Sequence, residues 1–357
     1  MTIKVAVIGG GVAGLSAAYF LAKNGAEVSV FEQKYLLYGA SGRNSGGLTA
    51  QFRNEALIKL ALRSLELYNT LQSEIGFNFL LRRDGYVKIA NDEVANVLKD
   101  EVEIQKRAGV NVKIVDPDFV KSLFPDINEN AFSIASYFAD GGVVFPWPVV
   151  WGLAKGCKEL GVKVYDYTPV SVEVKGNEVV GVRVDDELHR ADYVINAAGA
   201  WSNEISRQAG VELNNKIFKE EICVTESLKP YLDPYILDVS TNVYISQSMR
   251  GEIVGGILGN ETNNINVKSS LDFLTKYAKR VVELVPKLRG MSILRQWAGV
   301  YDLGRDGLPV IGPTKVKGFI QLNGFGRNGM STAPAAGEAL AEYILKGKSK
   351  ILEYFKP

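Results

Sequence analysis

Three glycines and a glutamate carry the first chemistry legible in this chain. Gly9, Gly11 and Gly14 fall at G-x-G-x-x-G spacing within KVAVIGGGVAGLSAAYFLAKNGAEVSVFE, residues 4–32. At that spacing the first glycine allows a tight turn and the second lets a pyrophosphate approach the backbone. The third lets a helix pack closely on a strand. Val12 and Ala13 open that helix, whose free N-terminal amides suit phosphate oxygens. Glu32, with Gln33 beside it, closes the next strand, where a carboxylate can accept hydrogen bonds from an adenosine ribose and would repel a phosphorylated one. The chemistry is dinucleotide binding, with NADP disfavoured and NAD and FAD both open. A signal peptide is not expected, because the apolar start lacks a basic flank and glycines interrupt it.

Two further stretches can bring backbone close to a flat ligand. GASGRNSGGL, residues 39–48, is rich in glycine and small polar residues, so several N–H groups can face one ligand. DYVINAAGAWS, residues 192–202, reads as a buried strand ending in Ala198-Gly199 and then Trp201. The C-terminal ends of parallel strands are where such ligands bind.

Composition narrows the chemistry. The chain has 357 residues, 46% hydrophobic and 23% charged, with a formal net charge of +1. That length suits two domains, and that charge gives no bulk field for nucleic acid or an anionic membrane. Cys157 and Cys223 lie far apart and form no C-x-x-C, which fits a cytoplasmic protein without a redox dithiol. No apolar run is long enough for a membrane span. The single histidine, His189, lies in DDELHRAD and reads as a residue of a solvated hairpin. Zinc sites and histidine-base mechanisms are thereby disfavoured, and no metal site is expected.

The elements that must position these groups follow from periodicity. A helix is expected from about Val12 to Lys23, ended by Asn24-Gly25, and a long amphipathic helix over 54–75. Short strand patterns and a polar helix near 92–108 form a different unit from Arg82 to Ala139. A strand-and-helix segment follows at 138–161, with strands near 162–166, 170–174 and 179–184. Alternation over 217–258 reads as an antiparallel sheet, followed by a helix over 269–285. GFIQLNGFGRNGMSTAPAAGEALAEYIL, residues 318–345, reads as strand, glycine loop and final helix. The expected fold is α/β plus α+β: a Rossmann-like domain from residues 1–76, 141–216 and 296–357, with an inserted domain from 77–140 and 217–295 on a mostly antiparallel sheet.

Taken together, GGGVAGLSAAYFLA with Glu32, GASGRNSGG, DGGVVFP, INAAGAWS, WAGVYDLGRDGLPVIG and GFGRNGMSTAPAAG resemble the D-amino-acid oxidase family of flavoproteins. That group includes glycine oxidase, sarcosine oxidase and the β subunits of dye-linked proline dehydrogenases. The resemblance spans nearly the whole chain and implies FAD. It sets Ser41, Arg43, Asn44, Ser45, Gly46 and Gly47 beside the isoalloxazine, and Val170 at the adenine. Gly324, Gly326, Arg327, Asn328, Gly329 and Met330 take the place of the loop whose amides face the flavin pyrimidine, where donors stabilise the charge of reduced flavin.

For the substrate, the resemblance implies a carboxylate partner, and this chain departs from part of the pattern. Where glycine oxidase and its relatives carry an arginine two residues after WAG, this chain has Tyr301, the form seen in proline and sarcosine dehydrogenase β subunits. Arg327 is then the candidate partner, since its guanidinium fork matches a carboxylate. Tyr244 is the candidate aromatic wall, and Arg53 and Arg295 are read as structural. Gly299 stands about where some relatives attach flavin through cysteine, so FAD is expected to be non-covalent. The lysine that promotes oxygen reduction in monomeric sarcosine oxidase has no clear counterpart.

The implied reaction is dehydrogenation of a small amino acid or secondary amine by hydride transfer to flavin N5. Electrons would pass to a dye- or quinone-type acceptor or to oxygen. An amine's lone pair helps expel the hydride, so no histidine base is required, whereas a 2-hydroxy acid usually needs one. A 2-hydroxy acid dehydrogenase and a flavoprotein subunit of a heteromeric amine dehydrogenase remain as alternatives.

Overall fold

The computed structural model describes residues 2–355. Its centre is the strand Lys4–Ile8, hydrogen-bonded in parallel to Glu27–Phe31 on one side and Tyr193–Asn196 on the other. Six strands form this sheet, in the order Val310–Pro313, Phe319–Asn323, Tyr193–Asn196, Lys4–Ile8, Glu27–Phe31, Lys163–Tyr165. Only the pair 310–313 with 319–323 is antiparallel.

Strand alternation sorts the core into layers. Val5 and Val7 face the helices Val12–Lys23, Glu55–Ile75, Pro146–Glu159 and Gly329–Lys346. Ala6 and Ile8 face the opposite way, onto Val172, Val179 and Val182 of a three-stranded antiparallel sheet. A period of two in a strand buried on both faces requires this division. Leu15, Leu21 and Leu340 are fully buried between the helices, each contributing about 1.5–3 kcal/mol of apolar transfer. The helices Val12–Lys23 and Gly329–Lys346 approach so closely that a Cβ on Gly337 would lie 2.6 Å from the Ala17 nitrogen.

The second large sheet has eight strands: Ile293–Leu303, Lys216–Ser227, Glu252–Glu261, Val243–Gln247, Tyr235–Asp238, Tyr86–Ala90, Ile134–Phe138 and Val112–Val115. All its pairings are antiparallel except that of Tyr235–Asp238 with Tyr86–Ala90. Two separate chain segments therefore build one sheet. Val87, Ile89, Ile236 and Ile245 pack on one face against Phe273 and Val281 of the helix Leu271–Leu284. The other face, carrying Tyr86, Leu237, Tyr244 and Ile222, joins the core of the first sheet. The Rossmann-like α/β part and the mostly antiparallel sheet expected from the sequence are both present.

Local differences have physical causes. The polar helix near 92–108 starts at Ala95 because Asn91 Oδ1 accepts from the Val94 amide and turns the chain first. His189 does not sit in a solvated hairpin. It lies on the strand Glu187–Arg190, half-buried, with its ring edge-on to Phe31 at 5.3 Å. The hairpin lies across the open face of the parallel sheet, which the charged local sequence concealed.

Candidate active site

The glycine turn is shaped by collision, as its spacing predicts. Gly9 has φ +111°, and a Cβ there would lie 2.3 Å from the Ala197 carbonyl oxygen. A Cβ on Gly14 would lie 2.0 Å from the Gly9 oxygen, so the helix rests directly on the turn. At Gly11, by contrast, a Cβ meets only the Ser41 side chain. The helix that follows has no side-chain cap on Gly11 and no acidic residue in its first turn, so its positive end faces the adjoining cavity uncompensated.

That cavity has a volume of about 260 Å³ and is lined by Gly9, Gly11, Val12, Ala13, Glu32, Gln33, Val170, Ala198, Gly199 and Trp201. Glu32 stands at its far end, its carboxylate accepting from the amides of Gly10 at 3.0 Å and Lys34 at 2.9 Å. Burial raises the Glu32 pKa, and these two amides pull the other way. Gly14 lies behind the turn rather than on the wall.

A second cavity, of about 280 Å³, shares Val12, Ala40, Ser41, Tyr301, Gly326 and Gly329 with the first. The two together form one continuous cleft between the sheets. The loop 39–48 makes one wall, and its polar side chains are spent on holding its shape. Ser41 Oγ accepts from the Val12 amide, while Asn44 bonds to the carbonyls of Ala40 and Ser41 and to the Gly46 amide. The Arg43 guanidinium donates to the carbonyls of Tyr38 and Ala298. Ser45 Oγ shares a hydrogen bond with the Tyr235 hydroxyl at 3.0 Å, and Gly47 lines the wall beside it. Gly46, at φ +76°, does not line the cleft; a Cβ there would strike the Val144 oxygen.

The opposite wall comes from the eight-stranded sheet. Tyr86, Tyr235 and Tyr244 form a column of stacked rings, with centroids 4.5 Å apart for the first pair and 5.8 Å for the second. Tyr244 donates from its hydroxyl to Glu220 Oε1 at 2.6 Å. Tyr301 stacks on Phe218 at 5.6 Å, and burial pushes its hydroxyl pKa well up. All four tyrosines therefore stay protonated donors at neutral pH.

Arg327 reaches the cleft from a short helical turn, Gly326–Asn328, just before the final helix, together with Asn328, Gly329 and Met330. Among the described residues no carboxylate pairs with its guanidinium. The Gly324 part of this loop points away. Its amide donates to Asp302 Oδ2 at 2.8 Å, the same buried oxygen that accepts from Asn215 Nδ2. Arg295 is solvent-exposed and outside the cleft, and Arg53 sits at the rim, paired with Glu101.

The sequence reading did not identify several groups that the fold brings to the cleft. Tyr86, Tyr235 and Glu220 form the sheet wall with Tyr244. Lys88 is a buried cation held by the Gln51 carbonyl at 2.7 Å and Glu101 at 3.2 Å, and its burial lowers its pKa. Strand glycines are the one signal that pointed there. Glu220 stands opposite Gly299, and a Cβ on Gly256 would meet the Tyr244 hydroxyl at 2.6 Å. Interior strand glycines mark close approach.

The cleft fits FAD in its own terms. It offers two helix N-termini without acidic residues, a glycine turn open on one side, a carboxylate at one end and a polar, aromatic chamber at the other. The family model described as "FAD dependent oxidoreductase" matches residues 4–343. The chain belongs to this family of FAD-dependent oxidoreductases. It is 28% identical to the protein named sarcosine oxidase subunit beta of Arthrobacter sp, over 98% of this chain and 88% of that one. Among solved structures it superposes on L-proline dehydrogenase from P. horikoshii with a TM-score of 0.94 and 31% identity, covering 100% of this chain and 97% of the other. Glycine oxidase from Geobacillus kaustophilus, at 24% identity and a TM-score of 0.91 over 99% and 98% of the two chains, shares the fold.

Proposed function

We propose that the chain dehydrogenates a small amino acid or secondary amine of the proline, sarcosine or glycine type. One observation carries this reading: Arg327, whose guanidinium pairs with no carboxylate among the described residues, opens into a tyrosine-walled chamber continuous with the Glu32 cavity. The likeness to a proline dehydrogenase at 31% identity supports the same substrate class. In this reading residues 1–76, 141–216 and 296–357 hold the cofactor, and 77–140 with 217–295 shape the substrate chamber. Glu32, Gln33 and Val170 would hold the adenosine end, and Ser41, Arg43, Asn44, Ser45 and Gly47 with residues 326–330 would flank the flavin ring. Bound there, FAD would supply the hydride-accepting chemistry that amine oxidation needs.

The chain's own residues do the rest. Arg327 holds the substrate carboxylate by a charge-assisted fork, while Tyr244 and Tyr301 bound the chamber and exclude water. FAD is held without a covalent bond, since among the described residues no cysteine or histidine lines either cavity. Both cysteines are free and buried, in keeping with a cytoplasmic setting. Electrons leave to a dye- or quinone-type acceptor rather than to oxygen, because Lys88, the one lysine lining the cleft among the described residues, is already engaged by two acceptors.

Anaerobic bleaching of the bound flavin tests the reading. The panel is L-proline, sarcosine, glycine, D-amino acids and 2-hydroxy acids. Bleaching by an amine is expected, whereas bleaching by hydroxy acids alone overturns the assignment. Repeating the active case in air and finding rapid peroxide formation overturns the choice of acceptor. A second reading, the flavoprotein subunit of a heteromeric amine dehydrogenase, rests on the β-subunit relatives and on Trp147 and Trp151, adjacent and half-exposed on one helix. A purified single chain that bleaches at full rate counts against it.

Glu32 supplies a prediction of its own. Its raised pKa means that the folded chain is stabilised by the protonated carboxyl, a contribution lost as pH rises through the folded-state value. Ribose binding runs the other way, needing the ionised acceptor. FAD affinity is therefore expected to fall on acidification at a higher pH than an ordinary carboxylate would give. Glu32→Gln should weaken FAD by roughly tenfold, the size of one charged hydrogen bond, and flatten that pH dependence. Release of flavin fluorescence during acid titration measures both effects.

A further inference from the structure

Glu220 is a half-buried carboxyl in the chamber wall, with one oxygen shielded and unpartnered. It lies on the strand Lys216–Ser227, between Phe218 and Ile222 on the cleft-facing side. Its neighbour across the sheet is Gly299, which has no side chain to cover it. Tyr244 donates to Oε1, which fixes the carboxyl and leaves Oε2 as the remaining acceptor. Oε2 is shielded from solvent and has no hydrogen-bond partner. Native proteins rarely leave such an oxygen unpaired, because its desolvation is uncompensated. Among the described residues no lysine or arginine side chain pairs with it, and the Lys88 ammonium goes to Gln51 and Glu101.

We propose that the Glu220 carboxylate accepts the substrate's ammonium N–H and takes that proton, so that the site selects α-amino acids over their oxygen analogues. This rests on the reading of the chamber as an amino acid site. In the step, one N–H bond of the ammonium breaks and its electron pair stays on nitrogen. The proton bonds to a carboxylate oxygen of Glu220, turning carboxylate into carboxylic acid. The neutral amine then has the lone pair that hydride loss from the α-carbon requires. Arg327 and Glu220 thus present opposite charges to the two ends of a zwitterion.

The groups that face Glu220 are compatible with this role. Burial raises its pKa, while the Tyr244 hydroxyl, the Arg327 charge and the Gly259 amide draw it down. Tyr301 and Tyr235 stand nearby and stay protonated. A carboxylate raised above its usual range accepts a proton more readily than an exposed one.

Holoenzyme carrying Glu220→Gln tests the proposal, because the amide keeps the size and the acceptor for Tyr244. Two matched ligand pairs are used, L-proline with tetrahydrofuran-2-carboxylate and sarcosine with methoxyacetate. Each is titrated against the flavin absorption band, and the amines are also followed by anaerobic reduction. Glu220→Gln is expected to slow reduction by about 100-fold or more and to erase the preference for amine over oxygen, with carboxylate-only binding nearly unchanged. Wild-type rates, or equal loss of both ligand types, overturn the proposal. As a second variant, Tyr244→Phe removes a donor to the carboxylate, so the acid limb of the reduction rate should move to higher pH. An unmoved limb overturns it. Should no carboxylate ligand perturb the wild-type flavin at all, it is the amino acid reading that fails.

Discussion

Changing Arg327 to alanine is expected to lower kcat/KM for an amino acid substrate by about 30- to 4,000-fold. That range corresponds to about 2–5 kcal/mol for truncating one partner of a desolvated, hydrogen-bonded charge pair. The cost falls on substrate recognition rather than folding, because among the described residues no carboxylate pairs with Arg327. The melting temperature should therefore barely move. Lysine at the same position keeps the charge but loses the planar fork, and should recover only part of the loss. An amine lacking a carboxylate provides the control: if Arg327 grips the carboxylate, its slow reduction of the flavin is indifferent to the substitution. Equal losses for both substrates in anaerobic stopped-flow measurements would reassign Arg327 to the flavin itself.

The contrast between Arg327 and Glu220 shows which parts of this site can be read from a sequence. Arg327 sits in GFGRNG, where glycines on both sides announce an exposed, tightly turned backbone near a helix start. Local chemistry reveals its place. Glu220 sits in KIFKEEICV, where three adjacent charges give no local sign of an enclosed carboxyl. Only the segments that face its strand across the cleft, residues 43–53 and 326–331, remote in sequence, enclose Glu220. The tyrosine column has the same origin: Tyr86 and Tyr235 come together through a parallel pairing between segments about 150 residues apart. No periodicity specifies such a pairing.

The fold divides in the same way. The first strand–helix–strand unit was legible almost to the residue, because its turn, cap and alternation are local. The Asp302 carboxylate that anchors the Gly324 amide and the Asn215 side chain was not, since a lone Asp in a strand has no local reason to be buried. Burial raises its pKa, and two donors hold it in place. His189 failed for a related reason, as DDELHRAD is charged along its length yet lies against Phe31.

The glycine turn yields the second large effect, and it separates steric collision from backbone strain. Gly9→Ala places a Cβ 2.3 Å from the Ala197 oxygen and 3.2 Å from the Ala198 Cα. Both atoms are backbone at the strand end that lines the adenosine-side cavity, so that wall must move. Positive φ adds about 1–3 kcal/mol of strain. FAD affinity should fall by about 100-fold or more, equivalent to about 3 kcal/mol, and the melting temperature should fall with it. Gly10→Ala is the matched neighbour. Its Cβ meets the end of the Leu36 side chain at 2.4 Å and the Glu32 Cβ at 3.2 Å; the leucine can change rotamer for about 0.5–1.5 kcal/mol, and Glu32 need give only slightly. Cofactor affinity there should change only a few-fold. Gly25→Ala completes the set, with φ +91° but open space around it. It should lower the melting temperature through strain alone and leave FAD binding untouched. Flavin content after dialysis and thermal melts of the three variants decide the matter. Equal flavin loss in all three would mean that the turn acts through general destabilisation, whereas loss confined to Gly9→Ala identifies the Ala197–Ala198 backbone as a wall of the cofactor site.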